Sequence, residues 1–352
     1  MAKKFGKDSR DAQKFNYSDE IRLLKSNGPE RLYFLWGQED YLRDQFIAEL
    51  EKLCLPDGEN SFGFHRLNGP DIDVKALRSS VDALPFLTDR TYVEVRDADI
   101  GKADIADAVI DILSDIPDYC TVVFSFGSEF EPDGRLKLTK HLKTVGHEIC
   151  FARQAEGRLS AWVARRFEAC GKKVDADAAM RLIFLSGSLM NRLIPEIEKI
   201  AAYAKGDRVT AADVDAVADR IPEANIFELT NLISARRLNA AASLLADIMA
   251  DKDNDPIFIL AILGMQMRRL YGARLAIESG KGAQYLVDEG ISKSLYIANK
   301  EIDAARGYSR KQLAYAVRLC AENDYLMKRG EDDTAGILKE TVMRISAVMG
   351  NA

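Results

Sequence analysis

Leu32–Tyr33–Phe34–Leu35–Trp36–Gly37–Gln38–Glu39–Asp40–Tyr41–Leu42 is the stretch that decides how this chain folds. Its five leading apolar residues read as a buried strand, Gly37 as a tight turn, and the following residues as an amphipathic helix with Leu42, Phe46, Ile47, Leu50 and Leu53 on one side. In nucleotide-binding α/β domains a phosphate sits at such a turn, held by a Gly-rich loop and a lysine. The Gly-x-x-x-x-Gly-Lys-Ser/Thr pattern is absent here, and Gln38, Glu39 and Asp40 take its place. Two carboxylates at a helix start repel a triphosphate rather than cradle it. A plainer structural role fits the same residues, with Gly37 making the turn and Asp40 capping the helix.

Outward from this stretch, helices and strands alternate up to residue 151. A short helix over Tyr17 to Lys25 precedes the first strand. Asp71 to Ala83 is helical in period and stops at Pro85, and Thr91 to Arg96 alternates as a strand with Thr91, Val93 and Val95 on one face. Ile105 to Ile116 is helical, Cys120 to Phe126 is an apolar β-branched strand, a helix spans Arg135 to Val145, and Glu148 to Phe151 is a short strand. This alternation implies a mostly parallel sheet covered on both faces. Beyond residue 152 strand signals vanish. Helices are predicted over Arg158 to Gly171, Asp177 to Ser186, Leu193 to Lys205 and Thr210 to Arg220, with Thr210 and Asp213 forming a capping box. Pro222 and Asn225 mark a boundary. Helices follow over Ile226 to Arg236, Asn239 to Ala250 and Pro256 to Ser279, then from the Ser309/Gln312 capping box to about Arg329, and over Thr334 to Met349. The plan is therefore an arm (1–16), an α/β domain (17–151), a small helical domain (152–222) and a larger helical domain (223–352).

Composition sets limits on function. The 352 residues are 47% hydrophobic and 30% charged, an ordinary globular balance, and no apolar run nears the roughly 18 residues of a membrane span. The basic N-terminus has no apolar segment after it, so a cytoplasmic protein is expected. Cys54, Cys120, Cys150, Cys170 and Cys320 are scattered, as suits reduced thiols. His141 and His147 lack a zinc or nucleophile–base context. With a net charge of −6, contact with nucleic acid would be local. Lys3, Lys4, Lys7, Arg10 and Lys14 could bind phosphate backbone or simply be solvated, and Arg268, Arg269 and Arg274 suit intersubunit salt bridges or a solvated face.

Phe86 and Leu87 admit two readings: two large apolar residues that fold back on the core, or an exposed plug for a protein partner. Asp97, at the end of the second recognisable strand, could hold magnesium in an unorthodox NTPase. Without a phosphate lysine it reads as a solvated strand-end residue, and Glu129 and Asp133 form no acid/base pair.

Several segments together carry a family likeness. They are Tyr33–Phe34–Leu35–Trp36–Gly37–Gln38–Glu39, Leu84–Pro85–Phe86–Leu87–Thr88–Asp89–Arg90, Arg135–Leu136–Lys137–Leu138, Glu196–Ile197–Glu198–Lys199, Ile226–Phe227–Glu228–Leu229, Gln266–Met267–Arg268–Arg269–Leu270 and Asn323–Asp324–Tyr325–Leu326–Met327–Lys328. In order and spacing the chain resembles the delta subunit family of the bacterial DNA polymerase III clamp loader. The resemblance implies a RecA-like AAA+ parallel-sheet domain, a helical lid and a C-terminal helical collar that builds a pentamer. It implies a non-catalytic subunit without a cofactor, acting with tau/gamma and delta-prime subunits on primed DNA. Its task would be to bind the β sliding clamp and open one of its interfaces, using Phe86 and Leu87 as anchor with Leu84 and Pro85 orienting them. Gly37, Gln38, Glu39 and Asp40 would then be a vestigial phosphate-loop position. The remaining alternatives are the unorthodox NTPase and a pentamer-forming adaptor that never touches the clamp.

Overall fold

The computed structural model describes residues 15–57, 62–252, 254–330 and 333–349. The basic residues Lys3, Lys4, Lys7, Arg10 and Lys14 lie outside them. The chain divides into two compact units, one of residues 1–155 with 189–191, the other of residues 156–188 with 192–352.

The first unit runs α1 (Tyr17–Asn27), β1 (Leu32–Trp36), α2 (Asp40–Cys54), β2 (Phe64–Asn68), α3 (Val74–Val81), β3 (Thr91–Arg96), α4 (Ala103–Ser114), β4 (Cys120–Ser125), α5 (Lys137–Val145) and β5 (His147–Cys150). The five strands pair in parallel in the order β2-β3-β4-β1-β5. Successive side chains leave a strand on opposite faces, and both faces are covered. Leu32 and Phe34 of β1 join Val93, Val95, Val122 and Phe124 in packing against Leu77, Val109, Ile112, Leu138 and Leu142 of α3, α4 and α5. Tyr33 turns the other way, its ring 5.8 Å from that of Phe46 on α2. Residues Thr91 to Val95 of β3 are all buried, so its alternation separates two buried faces rather than a buried and a wet one.

β2 carries no apolar alternation, and no local pattern in the sequence predicts it. It is an edge strand of half-exposed residues, tied to β3 by register and charge. Glu94 on β3, fully buried, receives Arg66 Nε at 2.7 Å and Arg96 Nε at 2.6 Å. A buried carboxylate is tolerated only when paired this way. The Phe64 and Tyr92 rings stack beside it at 5.8 Å. At the other edge, His147 on β5 sits between Glu20 of α1 (3.0 Å) and Glu30 (3.2 Å), and the hydrogen bond it donates to the Glu20 carboxylate raises its pKa.

Two local expectations change. Asp40 is the first helical residue of α2, not its cap; Glu39 holds the cap position, and no side chain caps the helix there. Leu53 faces solvent, and Cys54 takes the buried place at the end of the stripe. Pro222 is the first residue of the helix that runs to Ser234.

The second unit contains α6 (Glu156–Ala169), β6 (Lys173–Val174), α7 (Ala176–Ser186), α8 (Met190–Tyr203), β7 (Arg208–Val209), α9 (Ala211–Val217), α10 (Pro222–Ser234), α11 (Leu238–Ala250), α12 (Pro256–Glu278), α13 (Ala283–Asp288), α14 (Leu295–Ala305), α15 (Arg310–Lys328) and α16 (Thr334–Met349). β6 and β7 form a two-residue parallel pair, so strands do not vanish after residue 152. The capping boxes at Thr210/Asp213 and Ser309/Gln312 form, as does the Asp255 cap ahead of Pro256. α12 runs through the middle of the core, burying Ile259, Leu263, Met267 and Leu270. It lies close against α15, since a Cβ at Gly264 would be 3.3 Å from the Cys320 Cβ.

Candidate protein-binding site

The C-terminal edge of the sheet is where open α/β folds take nucleotides. Here the β1–α2 turn is short and closed. Gly37 has φ 128, and a Cβ there would meet the Phe151 carbonyl oxygen at 2.6 Å and its nitrogen at 2.7 Å. Only glycine permits that approach and that φ. The Phe151 N–H donates to the Trp36 carbonyl at 2.7 Å, and the Glu39 N–H donates to the Phe151 carbonyl at 2.8 Å. An amide that would face a phosphate is thus spent on the backbone after β5.

Glu39 itself is buried and accepts from the backbone N–H of Met190 at 3.3 Å; Met190 belongs to the same unit. Burial pushes its carboxyl up to about 7. Arg43, the cation of this region, donates to Asp40 Oδ1 and to the Phe126 carbonyl, both at 2.6 Å. The open cleft in front, about 510 Å³, is lined by Asp40, Asp97, Asp99 and Glu129 against that single guanidinium. Such a lining disfavours a polyphosphate. Asp97, in a left-handed conformation (φ 51), accepts from the Gly127 N–H at 2.8 Å and so fixes the loop after β4. Asp133 is paired with Arg135 at 2.6 Å. Among the described residues no group of His, Cys, Asp and Glu is arranged to hold a metal ion, and no helix is long and apolar enough to cross a membrane.

The opposite, N-terminal edge of the same sheet carries the apolar exception. Between α3 and β3 the chain leaves the core, and Leu84, Phe86 and Leu87 are 76%, 63% and 81% exposed, with Pro85 half-buried. The fold-back reading of Phe86 and Leu87 is therefore not what the structure adopts. Leu87 has φ 62, a left-handed conformation that a leucine rarely takes. The base of the loop is fixed: Thr88 Oγ1 donates to the Arg90 carbonyl at 2.9 Å, and Arg90 reaches inward to Thr121 Oγ1 at 3.2 Å. A second aromatic, Phe62, stands beside the loop, 75% exposed, its ring edge-on to Phe86 at 5.9 Å. No sequence pattern marks Phe62, because β2, which it precedes, has no strand period. The signal available was an aromatic next to glycine at Phe62–Gly63.

Elsewhere, Arg269 and Arg274 are paired within the chain, to Glu301 at 3.9 Å and Glu278 at 2.9 Å, while Arg268 is exposed. None of the five cysteines is in a disulfide: Cys54, Cys120 and Cys320 are buried, Cys150 half-buried and Cys170 exposed.

Fold and site define an α/β parallel-sheet domain followed by helices, whose β1–α2 turn is closed and whose opposite sheet edge bears an exposed apolar loop. Comparison with known proteins agrees. A family model described as DNA polymerase III, delta subunit, matches residues 33–151, and one described as DNA polymerase III delta subunit, C-terminal domain, matches residues 223–345. The DNA polymerase III subunit delta of Bacillus subtilis (strain 168) is 24% identical over 336 residues, covering 93% of this chain and 96% of its own length. The probable DNA polymerase III subunit delta of Aquifex aeolicus is 22% identical over 322 residues, 88% of this chain and 90% of its own. The solved structure of the Bacillus subtilis DNA clamp loader delta protein has the same fold, with a TM-score of 0.52 at 20% identity over 94% of this chain and 100% of that one. The chain belongs to the DNA polymerase III delta subunit family, whose place is in the clamp loader of DNA replication.

Proposed function

We propose that this chain binds the β sliding clamp through the loop at Leu84, Pro85, Phe86 and Leu87. In this reading it holds one clamp interface open for loading onto primed DNA, in the cytoplasm and in a complex with tau/gamma and delta-prime subunits. Residues 152–222 act as its lid and 223–352 as its oligomerising collar. The observation that carries the proposal is the exposure of three large apolar side chains on a loop whose base is hydrogen-bonded in place. A soluble surface rarely leaves such a cluster uncovered without a partner. Buried aromatic and aliphatic anchors supply most of the energy of a protein interface.

The subunit hydrolyses no ATP itself. Supporting this are the closed Gly37 turn, the Glu39 amide spent on Phe151 and the carboxylate-lined cleft. Two measurements test the two halves. Phe86→Ala/Leu87→Ala is expected to lose about 2–4 kcal/mol of clamp affinity, roughly 30- to 700-fold; clamp binding at the unaltered level removes the assignment. Titration of the isolated chain with ATP should give no saturable binding in the micromolar range, and such binding would favour an NTPase.

A further inference from the structure

The exposed apolar surface is not confined to one loop. β2 and β3 are adjacent parallel strands paired from Phe64↔Tyr92 to Asn68↔Arg96. Parallel neighbours bring their entering segments to the same sheet edge, so the chain before β2 and the chain before β3 arrive side by side. The Tyr92 N–H donates to the Gly63 carbonyl at 2.8 Å, which extends the pairing one residue toward the loops. At Gly63 a Cβ would fall 2.9 Å from the Arg90 carbonyl oxygen and 3.1 Å from Thr88 Oγ1, so only glycine lets the two segments touch there. Phe62 and the Leu84–Leu87 loop are thereby locked to one another through the strand pair. Behind them, the Arg66–Glu94–Arg96 cluster and the Phe64–Tyr92 stack keep edge strand β2 from fraying.

Phe62 is itself 75% exposed, touching Phe86 only edge-on, ring to ring at 5.9 Å. A ring that merely propped Phe86 would be covered by it; this one shows most of its surface to solvent. Asp82 and Asp89, two residues outside Leu84 and Leu87, are also exposed and flank the apolar loop with negative charge.

We infer that Phe62 is a further contact residue of the same binding surface, which takes an apolar pocket with a basic rim on its partner. The inference rests on the clamp-binding reading above, and it adds a second, independently encoded loop to that interface. Clamp binding is to be measured for the full chain, Phe62→Ala, Phe86→Ala, the Phe62→Ala/Phe86→Ala double variant and Phe86→Ala/Leu87→Ala. Thermal melting of each should match the parent, since the side chains are exposed.

The expected result is a loss of about tenfold for Phe62→Ala that persists, at severalfold, in the Phe86→Ala background. Affinity of Phe62→Ala within twofold of the parent overturns the contact. So does a loss that disappears once Phe86 is alanine, because Phe62 would then act only through Phe86. If Phe86→Ala/Leu87→Ala binds as the parent does, the underlying reading falls and this inference with it. The two failures are therefore distinct.

Discussion

The turn at Gly37–Asp40 and the loop at Leu84–Leu87 sit at opposite ends of one parallel sheet and invert each other's chemistry. At the first, a buried carboxylate, a glycine pressed on Phe151 and a guanidinium spent on Asp40 and Phe126 close a place where a ligand could sit. At the second, apolar groups that the core would accept are held out in water. Both are constrained: each contains a positive φ, the first is anchored by backbone hydrogen bonds to Phe151, and the second at its base by Thr88 Oγ1 donating to the Arg90 carbonyl. The difference lies in what that rigidity protects. One protects the fold, and the other protects a display of side chains. A parallel-sheet scaffold can thus close this turn and keep its architecture, because sheet packing and ligand contacts use different atoms of the same turn.

Variants at the two places should separate cleanly. The largest effect is expected for Gly37→Val, which forces a branched Cβ onto the Phe151 backbone at an unfavourable φ. It should lower unfolding free energy by more than about 3 kcal/mol in chemical denaturation. The folded fraction should still bind clamp as the parent does; a wild-type melting curve would show the turn is slack.

Glu39→Gln comes next. Burial raises this carboxyl from 4.5 to about 7, so the folded chain retains a proton that the unfolded chain releases. Stability from this group is present below about pH 4.5 and is lost as pH rises through 7. The parent is thereby weakened at pH 8 by on the order of 3 kcal/mol. The glutamine variant should be more stable than the parent at pH 8 and equal to it near pH 4, as denaturation at the two pH values would show. Equal stability of the two proteins at pH 8 would contradict the assigned burial. Glu301, also buried and pushed up to about 7, should behave alike on Glu301→Gln.

The smallest expected effect is kinetic. Asp82→Asn/Asp89→Asn should slow clamp association about two- to fivefold at low salt and leave the dissociation rate nearly unchanged. An unchanged association rate at low ionic strength would deny the basic rim.

The sequence made the interior of this molecule legible where burial writes a pattern. β1 is a run of large apolar residues, β4 an apolar β-branched one and β3 an alternating one, and the partners of both capping boxes stand three positions apart. β2 was hidden because Phe64–His65–Arg66–Leu67–Asn68 has neither alternation nor a continuous apolar run. It is a strand because Arg66 finds Glu94 28 positions later, and no local reading contains that pair. The two-residue strands β6 and β7 are too short for any period. α14, with Lys300 and the buried Glu301 inside it, breaks the polar-out rule on which helix reading depends. At the site, the type and order of Leu84–Pro85–Phe86–Leu87 were visible, but their exposure was not. Whether an apolar pair folds back depends on the absence of a covering element, and absence leaves no mark in a local pattern. Phe62 shared the obscurity of its strand.

The left-handed leucine has one more consequence. Holding residue 87 at φ 62 costs about 1–2 kcal/mol relative to an ordinary backbone conformation, and glycine, which adopts that conformation freely, would recover up to about 1 kcal/mol after its own entropy is counted. Two selections therefore pull this single position apart. Laboratory evolution for heat resistance alone should drift toward glycine or asparagine at 87, while retention of leucine across rounds would report that a partner is still being bound.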